Sequence, residues 1–359
     1  MDSAGNPIIA GQCIKCKSKP FTINVRYAVY CEYYCYPKLL NDRACFQDQV
    51  YHKYRNQTRN PSGPGSILVG YSGGLSSQYC QLCFTRRFSL LLHLTQQARI
   101  QDPNRKNLDT YYFVHITRGG DSAEKPEFVK NVFDSYGVAI ESYTLADCLY
   151  NGEPERLQQL LDACESDTLR VDLVRILTRV ALVRIAQQRG IGKVYVGENC
   201  SRLAVDIMAD TCTGRGVSLP WKYSLAQAYS DVSVIRPLRD LVNLEVNFYL
   251  DSIKNQCPMP RQSTMTKADS IYGLTDNFIT GLDLENSATV STVVRTTAKI
   301  ETCISRLEDL KPCALCMAPL PPNEGRPFCF GCHQIFEGMD VSHASILPSH
   351  TQAILTTYK

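Results

Sequence analysis

The stretch Ile67-Leu68-Val69-Gly70-Tyr71-Ser72-Gly73-Gly74-Leu75-Ser76-Ser77 decides the fold class of this chain. Its first five residues form an apolar run typical of a buried strand, and a long helix-like segment runs from Ser77 to about Gln97. Two adjacent glycines allow backbone amides to approach an anion closely, and a helix N-terminus adds partial positive charge. We therefore predict a pyrophosphate cradle here. Ser-Gly-Gly turns are common, so this prediction depends on the pattern around it.

The rest of the chain alternates short apolar strands with helices. Strands are expected at residues 66–71, 111–116, 138–140, 194–196 and 232–235. Helices are expected near residues 77–98, 125–136, 154–165, 168–189, 200–210 and 239–255. This alternation predicts an α/β fold with a mostly parallel sheet and helices on both faces. The 168–189 helix is the best defined, because Thr168 can cap it and Gly190 can end it.

Composition and length bound the class of protein. The chain has 359 residues, of which 44% are apolar, and a net charge of +3, so it can bury a large core and need not bind nucleic acid. No apolar run approaches the roughly 20 residues that span a bilayer, and no signal peptide is visible, so we expect a cytoplasmic protein. We expect an N-terminal Cys-rich zinc module (1–60), an α/β domain that contains the Ser-Gly-Gly turn (61–300) and a C-terminal zinc-ribbon-like module (301–359).

The C-terminal cysteines form the strongest local pattern after the glycine turn. The chain contains 17 cysteines, and disulfides are rare in the cytoplasm, so metal ligands are a leading interpretation. Cys313-x2-Cys316 and Cys329-x2-Cys332 are two knuckles that together supply four thiolates for a tetrahedral Zn²⁺. Four protein ligands leave no position for a reactive water, so we predict a structural ion.

A second metal site is predicted near the N-terminus, with an incomplete set of ligands. Cys13-x2-Cys16 is a clear knuckle. Three cysteines compete for the two remaining positions, with His52 as a further candidate; they are Cys31, Cys35 and Cys45. A third Cys-x-x-Cys pair, Cys80 and Cys83, lies on the helix that begins at Ser77, and we interpret it as buried packing.

Several basic residues are candidates for contacts with anions. The arginines of the 168–189 helix do not form one stripe, and a solvated surface is the default interpretation. Gly214-Arg215-Gly216 is either a flexible loop or a turn that carries a guanidinium to a phosphate. Arg236 follows the last strand, at the sheet edge where open α/β folds bind ligands. Two small basic clusters are candidates for tRNA contact, although each alone is usually plain surface; they are His52, Lys53, Arg55 and Arg59, and the pair Arg86 and Arg87. Tyr51 and Tyr54 among the residues of the first cluster favour RNA contact there.

Together these motifs resemble a known family. Their order along the chain is a cysteine knuckle, a His-Lys-Tyr-Arg tetrad, the Ser-Gly-Gly loop, Gly197-Glu198-Asn199, residues 213–221 (Thr-Gly-Arg-Gly-Val-Ser-Leu-Pro-Trp), residues 236–239 (Arg-Pro-Leu-Arg) and a terminal cysteine cluster. This arrangement resembles the second subunit of cytoplasmic tRNA 2-thiolation proteins, within the PP-loop ATPase (adenine nucleotide α-hydrolase-like) superfamily. The resemblance covers roughly residues 10–335, and the 213–221 string is its most specific part.

The resemblance implies a partner and a reaction. Members of this family pair with a related catalytic subunit, and the pair thiolates the wobble uridine of lysine, glutamate and glutamine tRNAs. ATP adenylates the C2 oxygen of the uridine, and sulfur from a thiocarboxylated ubiquitin-like carrier then displaces AMP.

The departures from the active members of the superfamily imply lost catalysis. Ser76 stands where active PP-loop enzymes carry an Asp. Catalytic relatives also have a Cys-x-x-Cys pair at the start of the helix that matches 168–189, where this chain reads Asp167-Thr168-Leu169-Arg170-Val171-Asp172. Cys257 can match a third family cysteine, but one thiolate cannot hold an iron–sulfur cluster. The acidic pair that usually follows Asn199 is absent.

We therefore expect a non-catalytic or degenerate subunit of the heterodimeric tRNA thiolase that supports tRNA binding and complex integrity. Its expected cofactor is structural zinc, without an iron–sulfur cluster, and ATP binding is left open. The expected residues of the degenerate nucleotide site are Ser72, Gly73, Gly74, Ser76, Ser77, Arg215 and Arg236. The alternatives are an autonomous ATP-dependent adenylating enzyme, which could thiolate tRNA by itself only with the missing cysteine pair, and a zinc-ribbon RNA-binding scaffold.

Overall fold

The computed structural model describes residues 12–14, 16–20, 23–25, 28–31, 66–71, 110–117, 130, 134, 139–236, 239–243, 269–297, 299–300, 311–320, 325–337 and 346–356. Several predicted features lie outside these residues. They are the Ser72–Ser77 cradle, the Cys80–Cys83 pair, Cys257, most of the 77–98, 125–136 and 239–255 helices, and the basic clusters at 52–59 and 86–87.

Eight strands form a small hairpin and one large sheet among the described residues. The antiparallel hairpin contains β1 (Ile23–Val25) and β2 (Ala28–Tyr30). The sheet contains β3 (Ser66–Tyr71), β4 (Thr110–Thr117), β5 (Ile140–Thr144), β6 (Lys193–Val196), β7 (Ala226–Tyr229) and β8 (Val232–Ile235). Its order is β5-β4-β3-β6-β8-β7, and every neighbouring pair is parallel except β7 with β8. The predicted mostly parallel α/β fold is confirmed. β7 was not predicted, because Ala-Gln-Ala-Tyr carries little strand signal.

Eight α-helices are described. They are α1 (Leu145–Leu149), α2 (Pro154–Asp162), α3 (Asp167–Gln188), α4 (Cys200–Cys212), α5 (Leu219–Lys222), α6 (Ile271–Thr297), α7 (Phe330–Phe336) and α8 (Ser349–Thr356). None of them combines the length and the apolar composition that crossing a bilayer requires.

The central helix α3 begins and ends close to its predicted bounds, but its cap differs from the prediction. Ser166, not Thr168, is the N-cap, and its hydroxyl accepts a hydrogen bond from Leu169 N at 3.3 Å. The Thr168 hydroxyl instead accepts the first backbone N–H of α6, from Ile271, at 3.1 Å. Gly190 follows the last turn with a φ of +64°, a conformation that glycine adopts without strain.

Helix α6 occupies a segment whose pattern the sequence left unassigned. β-Branched and hydroxyl residues have only modest helix propensity, so the pattern was weak. In the structure the Thr275 hydroxyl donates to the Ile271 carbonyl oxygen at 2.8 Å, and Thr292 repeats this contact with Ala288. The apolar face, which includes Ile279, Val290 and Val294, packs against α4. Packing therefore outweighs propensity here.

The C-terminal residues share a core with the sheet domain. Leu315, Leu320 and Ile335 belong to the same buried cluster as the side chains of α3. Hydrogen bonds also join the two regions: Ser349 Oγ donates to the Leu149 carbonyl oxygen at 3.0 Å, and Arg156 donates to that of Leu347 at 3.2 Å. The predicted boundary at residue 301 remains a prediction about folding units, but the packing across it is continuous.

Candidate functional site

A cavity of about 170 Å³ lies at the carboxyl edge of the sheet. Its walls include Tyr71 at the end of β3, Glu198 just after β6 and Arg236 just after β8. β3 and β6 are neighbours, and the chain order reverses between them. Open α/β sheets bind their ligands at such a reversal point. The cavity therefore occupies the position expected for a ligand site in this fold.

The described walls of the cavity carry an excess of positive charge. Six lining side chains are cationic, namely Arg175, Arg179, Arg202, Arg215, Lys222 and Arg236. Two lining side chains are carboxylates, Glu198 and Asp206. Two more, Asp172 and Asp210, pair with Arg215 and Lys222 without lining the cavity. Six cations against four carboxylates favour an anionic occupant.

Arg175 and Arg179 correct the interpretation of the α3 arginines as a solvated surface. Their side chains are only 21% and 18% exposed, and both face the cavity. Arg175 pairs with Asp206 of α4 at 2.8 Å, and Arg179 pairs with Glu198. Among the described residues, Nη1 of each guanidinium has no hydrogen-bond acceptor, although Arg175 Nη1 lies 3.8 Å from an Asp210 oxygen. Both guanidinium groups line the cavity, and each has one nitrogen without a hydrogen-bond acceptor among the described residues.

Glu198 links two of these cations. Its Oε2 atom accepts a hydrogen bond from Arg236 Nε at 2.7 Å, while Oε1 contacts Arg179. Burial by itself raises the pKa of Glu198, but the charges of Arg179 and Arg236 outweigh it and lower the pKa to about 2. Glu198 is therefore ionised at neutral pH and is held between two guanidinium groups.

Arg236, predicted for the nucleotide site, is 1% exposed and already engaged with the protein. Besides its bond to Glu198, Nη1 donates to the Ser224 carbonyl oxygen at 3.0 Å and Nη2 donates to Gln227 Oε1 at 2.8 Å. All three nitrogens thus have protein acceptors. Its role in nucleotide binding remains a prediction, and its described contacts are structural.

Behind the cavity, buried acids on α3 and α4 share tyrosine donors. The Tyr272 hydroxyl lies 2.8 Å from Asp172 Oδ1 and 3.1 Å from Asp210 Oδ1. Asp210 also accepts from the Tyr223 hydroxyl at 2.5 Å and from Lys222 Nζ at 2.6 Å. The Arg175 guanidinium stacks over the Tyr272 ring, 4.3 Å from its centroid. The network therefore joins α3, α4 and α6.

This network was not predicted from the sequence, although the sequence contains a signal for it. Arg175 and Arg179 lie one turn apart on α3, and Asp206 and Asp210 lie one turn apart on α4. Matched i, i+4 sets of opposite charge on two helices of one domain are a signal for facing partners. The periodicity of apolar residues, which predicts single helices, does not reveal pairing between charged residues of two helices.

The four C-terminal cysteines meet as predicted. The Sγ atoms of Cys313, Cys316, Cys329 and Cys332 all lie within 4.8 Å of one another. The Cys316 and Cys329 sulfurs are 3.8 Å apart, and Zn–S bonds of about 2.3 Å at a tetrahedral angle give nearly the same separation. Hydrogen bonds with the other three thiols, and then the charge of Arg215, lower the pKa of Cys329 well below its usual value. The donor set therefore fits one tetrahedral ion, and Cys316 also lines the cavity.

The N-terminal cysteines repeat this local geometry. In each cluster the residue after the second cysteine, Lys17 or Met317, has a φ between +54° and +59° and donates its N–H to the first cysteine's carbonyl oxygen at 2.9 Å. Cys31 joins Cys13 and Cys16, and the Cys16 and Cys31 sulfurs are again 3.8 Å apart. Hydrogen bonding by the backbone of Ser18 lowers the pKa of Cys16 to about 6, which favours the thiolate that metals bind.

Cys31 is therefore the third member of the N-terminal cluster. The remaining candidates for a fourth ligand, Cys35, Cys45 and His52, lie outside the described residues. The predicted phosphate-cradle and tRNA-contact residues also lie there, so only Arg215 and Arg236 of the predicted nucleotide residues are placed.

Arg215 connects the cavity to the C-terminal cluster. Its Nη1 atom lies 3.4 Å from Cys332 Sγ and 3.6 Å from Cys329 Sγ. Its Nε atom donates to Asp172 Oδ2 at 3.1 Å, and Nη2 contacts the same carboxylate. Arg215, 4% exposed, has protein partners on both edges of its guanidinium, and its role at the nucleotide site remains a prediction.

Comparisons with known proteins agree with this fold and with the sequence motifs. A protein of Xenopus laevis named cytoplasmic tRNA 2-thiolation protein 2-A is 25% identical over 90% of this chain and 75% of its own length. Its namesake from Phaeosphaeria nodorum is 31% identical, but over 50% of this chain and 48% of its own length. Most of the relatives compared are thus matched over half of their length or less.

A solved structure supports the fold alone. The U34-tRNA thiolase of Methanococcus maripaludis, described with its 4Fe-4S cluster, aligns over 93% of this chain and 98% of its own, with a TM-score of 0.56 and 14% identity. A family model described as cytoplasmic tRNA 2-thiolation protein 2 matches residues 270–327, which contain α6 and the first C-terminal cysteine knuckle. The resemblance predicted from the motifs is thereby confirmed: the chain is similar to proteins named cytoplasmic tRNA 2-thiolation protein 2.

Proposed function

We propose that this chain acts in tRNA 2-thiolation in the cytoplasm, as a non-catalytic subunit that pairs with a catalytic PP-loop thiolase. The target is the wobble uridine of lysine, glutamate and glutamine tRNAs. ATP and sulfur from a thiocarboxylated ubiquitin-like carrier are used at the partner's site. The similarity of the chain to cytoplasmic tRNA 2-thiolation proteins and the fold that it shares with a U34-tRNA thiolase support this role.

One observation carries the non-catalytic assignment. The first turns of α3, where catalytic relatives carry a cysteine pair, hold no cysteine from Asp167 to Asp172. Asp172 is instead buried and bound by Arg215 and the Tyr272 hydroxyl. The segment where catalytic relatives carry thiolates thus contributes a buried ion pair instead, and this supports a structural role for the site.

The cysteine clusters support structural metal in this role. Each cluster brings its described sulfurs within the spacing of one tetrahedral ion, and we propose zinc at both. Zinc bound by four protein ligands has no open position for substrate. The metal would hold the knuckles together and thereby stabilise the module, since metal binding at such sites contributes directly to folding.

The excess of positive charge in the cavity supports retention of an anion site without turnover. Arg175 and Arg179 line the cavity, and Nη1 of each has no hydrogen-bond acceptor among the described residues. We propose that tRNA is held elsewhere, by phosphate contacts from the basic clusters at residues 52–59 and 86–87, which need no base recognition.

Reconstitution tests the proposal. The full-length chain, its catalytic partner, ATP, thiocarboxylated carrier and tRNA are mixed, and 2-thiouridine is measured by mass spectrometry. We expect no product from this chain alone, slow or no reaction by the partner alone, and full activity from the mixture. Replacing Cys257 by Ala in this chain should leave the activity of the mixture unchanged, since it is not proposed to relay sulfur.

The same mixture separates the alternatives. ATP turnover or thiolation by this chain alone would support the autonomous adenylating enzyme. Partner activity that is independent of this chain, together with tRNA binding by the chain, would support an RNA-binding scaffold. Either result would overturn the proposed subunit.

A further inference from the structure

The loop that carries Arg215 and the second C-terminal knuckle interlock through two glycines. A methyl group on Gly331 would lie 2.6 Å from Arg215 Cγ and 2.8 Å from Cζ. A methyl group on Gly214 would lie 2.6 Å from the ring of Phe330, and Gly214 has a φ of +74°. Gly214 thus leaves room for the ring of Phe330, and Gly331 leaves room for the side chain of Arg215. These two glycines allow the guanidinium to reach the sulfurs.

The charge of a loaded cluster explains why a cation is placed there. Four thiolates around a divalent ion carry a net charge of −2, and burial makes an uncompensated charge costly. Arg215 lies within 3.6 Å of two of the four sulfurs, so it offsets part of this charge. Asp172 holds the other edge of the guanidinium and fixes its orientation.

The contacts continue from Arg215 into the walls of the cavity. The backbone N–H of Arg215 donates to the Asp210 carbonyl oxygen at 2.9 Å, at the end of α4. Asp172, its ion-pair partner, accepts the Tyr272 hydroxyl from the first turn of α6. The position of one guanidinium therefore affects α3, α4 and α6 together.

We propose that Arg215 is the positioning residue of the C-terminal metal site: it recognises the metal-loaded tetrathiolate and couples metal occupancy to the order of the first turns of α6. Without the ion no metal–sulfur bonds hold the four sulfurs together, so the knuckle that places Arg215 against Asp172 is less constrained. This inference concerns the cluster and its neighbours, and it does not depend on a role in tRNA thiolation.

Zinc release from the zinc-loaded full-length protein tests the first half. Release to a chromophoric chelator is followed in the wild type and in Arg215→Ala, Arg215→Lys and Gly331→Ala. Loss of a residue that supports metal ligands typically weakens metal binding about 10- to 100-fold, so we expect release from the C-terminal site to accelerate by about that factor in Arg215→Ala. Gly331→Ala keeps the charge but displaces the guanidinium, so it should also release zinc faster. Arg215→Lys keeps a cation but lacks the planar guanidinium, so its rate of zinc release should lie between those of the wild type and Arg215→Ala.

Two controls make the result specific. Lys222→Ala removes a cation from the same network, where it pairs with Asp210, and should change release less than about twofold, well below the factor expected for a ligand-supporting residue. Release from the N-terminal cluster is an internal control in every variant and should keep its wild-type rate. Wild-type release from both Arg215→Ala and Gly331→Ala would overturn the assignment, as would equal acceleration in Lys222→Ala.

Hydrogen exchange tests the second half. Amide exchange in residues 271–279 is compared in the wild-type protein before and after zinc is removed by the chelator. We expect faster exchange in this segment after removal, and faster exchange in zinc-loaded Arg215→Lys than in the zinc-loaded wild type. Unchanged protection of α6 on metal removal would overturn the coupling. If Arg215→Ala does not fold, the Lys and Gly331→Ala variants still decide the proposal.

Discussion

Glu198→Gln is the substitution that most directly tests whether the ion pairs of the cavity stabilise the fold. The structure places Glu198 between Arg179 and Arg236, and both guanidinium groups are largely buried. Glutamine has nearly the same size but no charge. The variant therefore leaves two buried cations without their carboxylate while changing the packing little.

The magnitude follows from the pKa of the carboxyl group. That pKa is lowered from 4.5 to about 2, and each pKa unit corresponds to about 1.4 kcal/mol, so the ion pairs contribute about 3 kcal/mol to folding. Because the folded-state pKa is lowered, this contribution is complete above pH 4.5 and is lost as the pH falls from 4.5 towards 2. Glu198→Gln should thus be less stable than the wild type by about 3 kcal/mol at pH 7, and the difference should shrink below pH 4.5.

Urea denaturation of the zinc-loaded proteins measures this difference. Glu141→Gln is the matched control, because Glu141 also pairs with an arginine, Arg189, but its side chain is 47% exposed. Exposed pairs contribute about 0–1 kcal/mol, so the control should lose less than that. Equal losses in the two variants, or a loss below about 1 kcal/mol for Glu198→Gln, would refute the reasoning that the buried network stabilises the fold.

Further predictions concern metals, packing and tRNA. Elemental analysis of anaerobically purified protein should find zinc at both clusters, and stoichiometric iron would contradict the proposed cofactor. Cys31→Ser should remove the N-terminal ion alone, and the fourth ligand is whichever replacement does the same among Cys35→Ser, Cys45→Ser and His52→Ala. Gly70→Ala should cost about 1–3 kcal/mol in denaturation, because the new methyl group would lie 2.8 Å from Leu182 Cδ1; wild-type stability would show that this contact relaxes freely. In the heterodimer, the triple alanine variant of Lys53, Arg55 and Arg59 should bind tRNA more weakly than the wild type and with a flatter salt dependence. Equal slopes in salt titrations of the two proteins would count against these contacts.

The sequence predicted the parts of the fold that depend on local pattern. Strands β3 and β4, helix α3 and the three knuckles of the two cysteine clusters have strong periodic or spacing signals, and the structure confirms them within a few residues. Helix α6 was missed because its stability comes from packing on α4, which no local pattern encodes.

The candidate site was less predictable, because its chemistry arises from pairs far apart in the chain. Arg215 was expected to reach a phosphate, because its side chain is cationic and glycines flank it. Its partners, Asp172 and Cys332, are 43 and 117 residues away, and only the fold brings them together. The same holds for Arg236 and Glu198. Residue type and local spacing identified these side chains as important but did not identify their partners.

We propose that this chain is required for wobble-uridine 2-thiolation without performing it. The most direct measurement is mass spectrometry of tRNA nucleosides from cells in which the gene for this chain has been deleted, with the wild-type gene restored as the control. We expect the 2-thiouridine derivatives of lysine, glutamate and glutamine tRNAs to be lost on deletion and to return when the gene is restored. Undiminished 2-thiouridine derivatives in the deletion cells would contradict it.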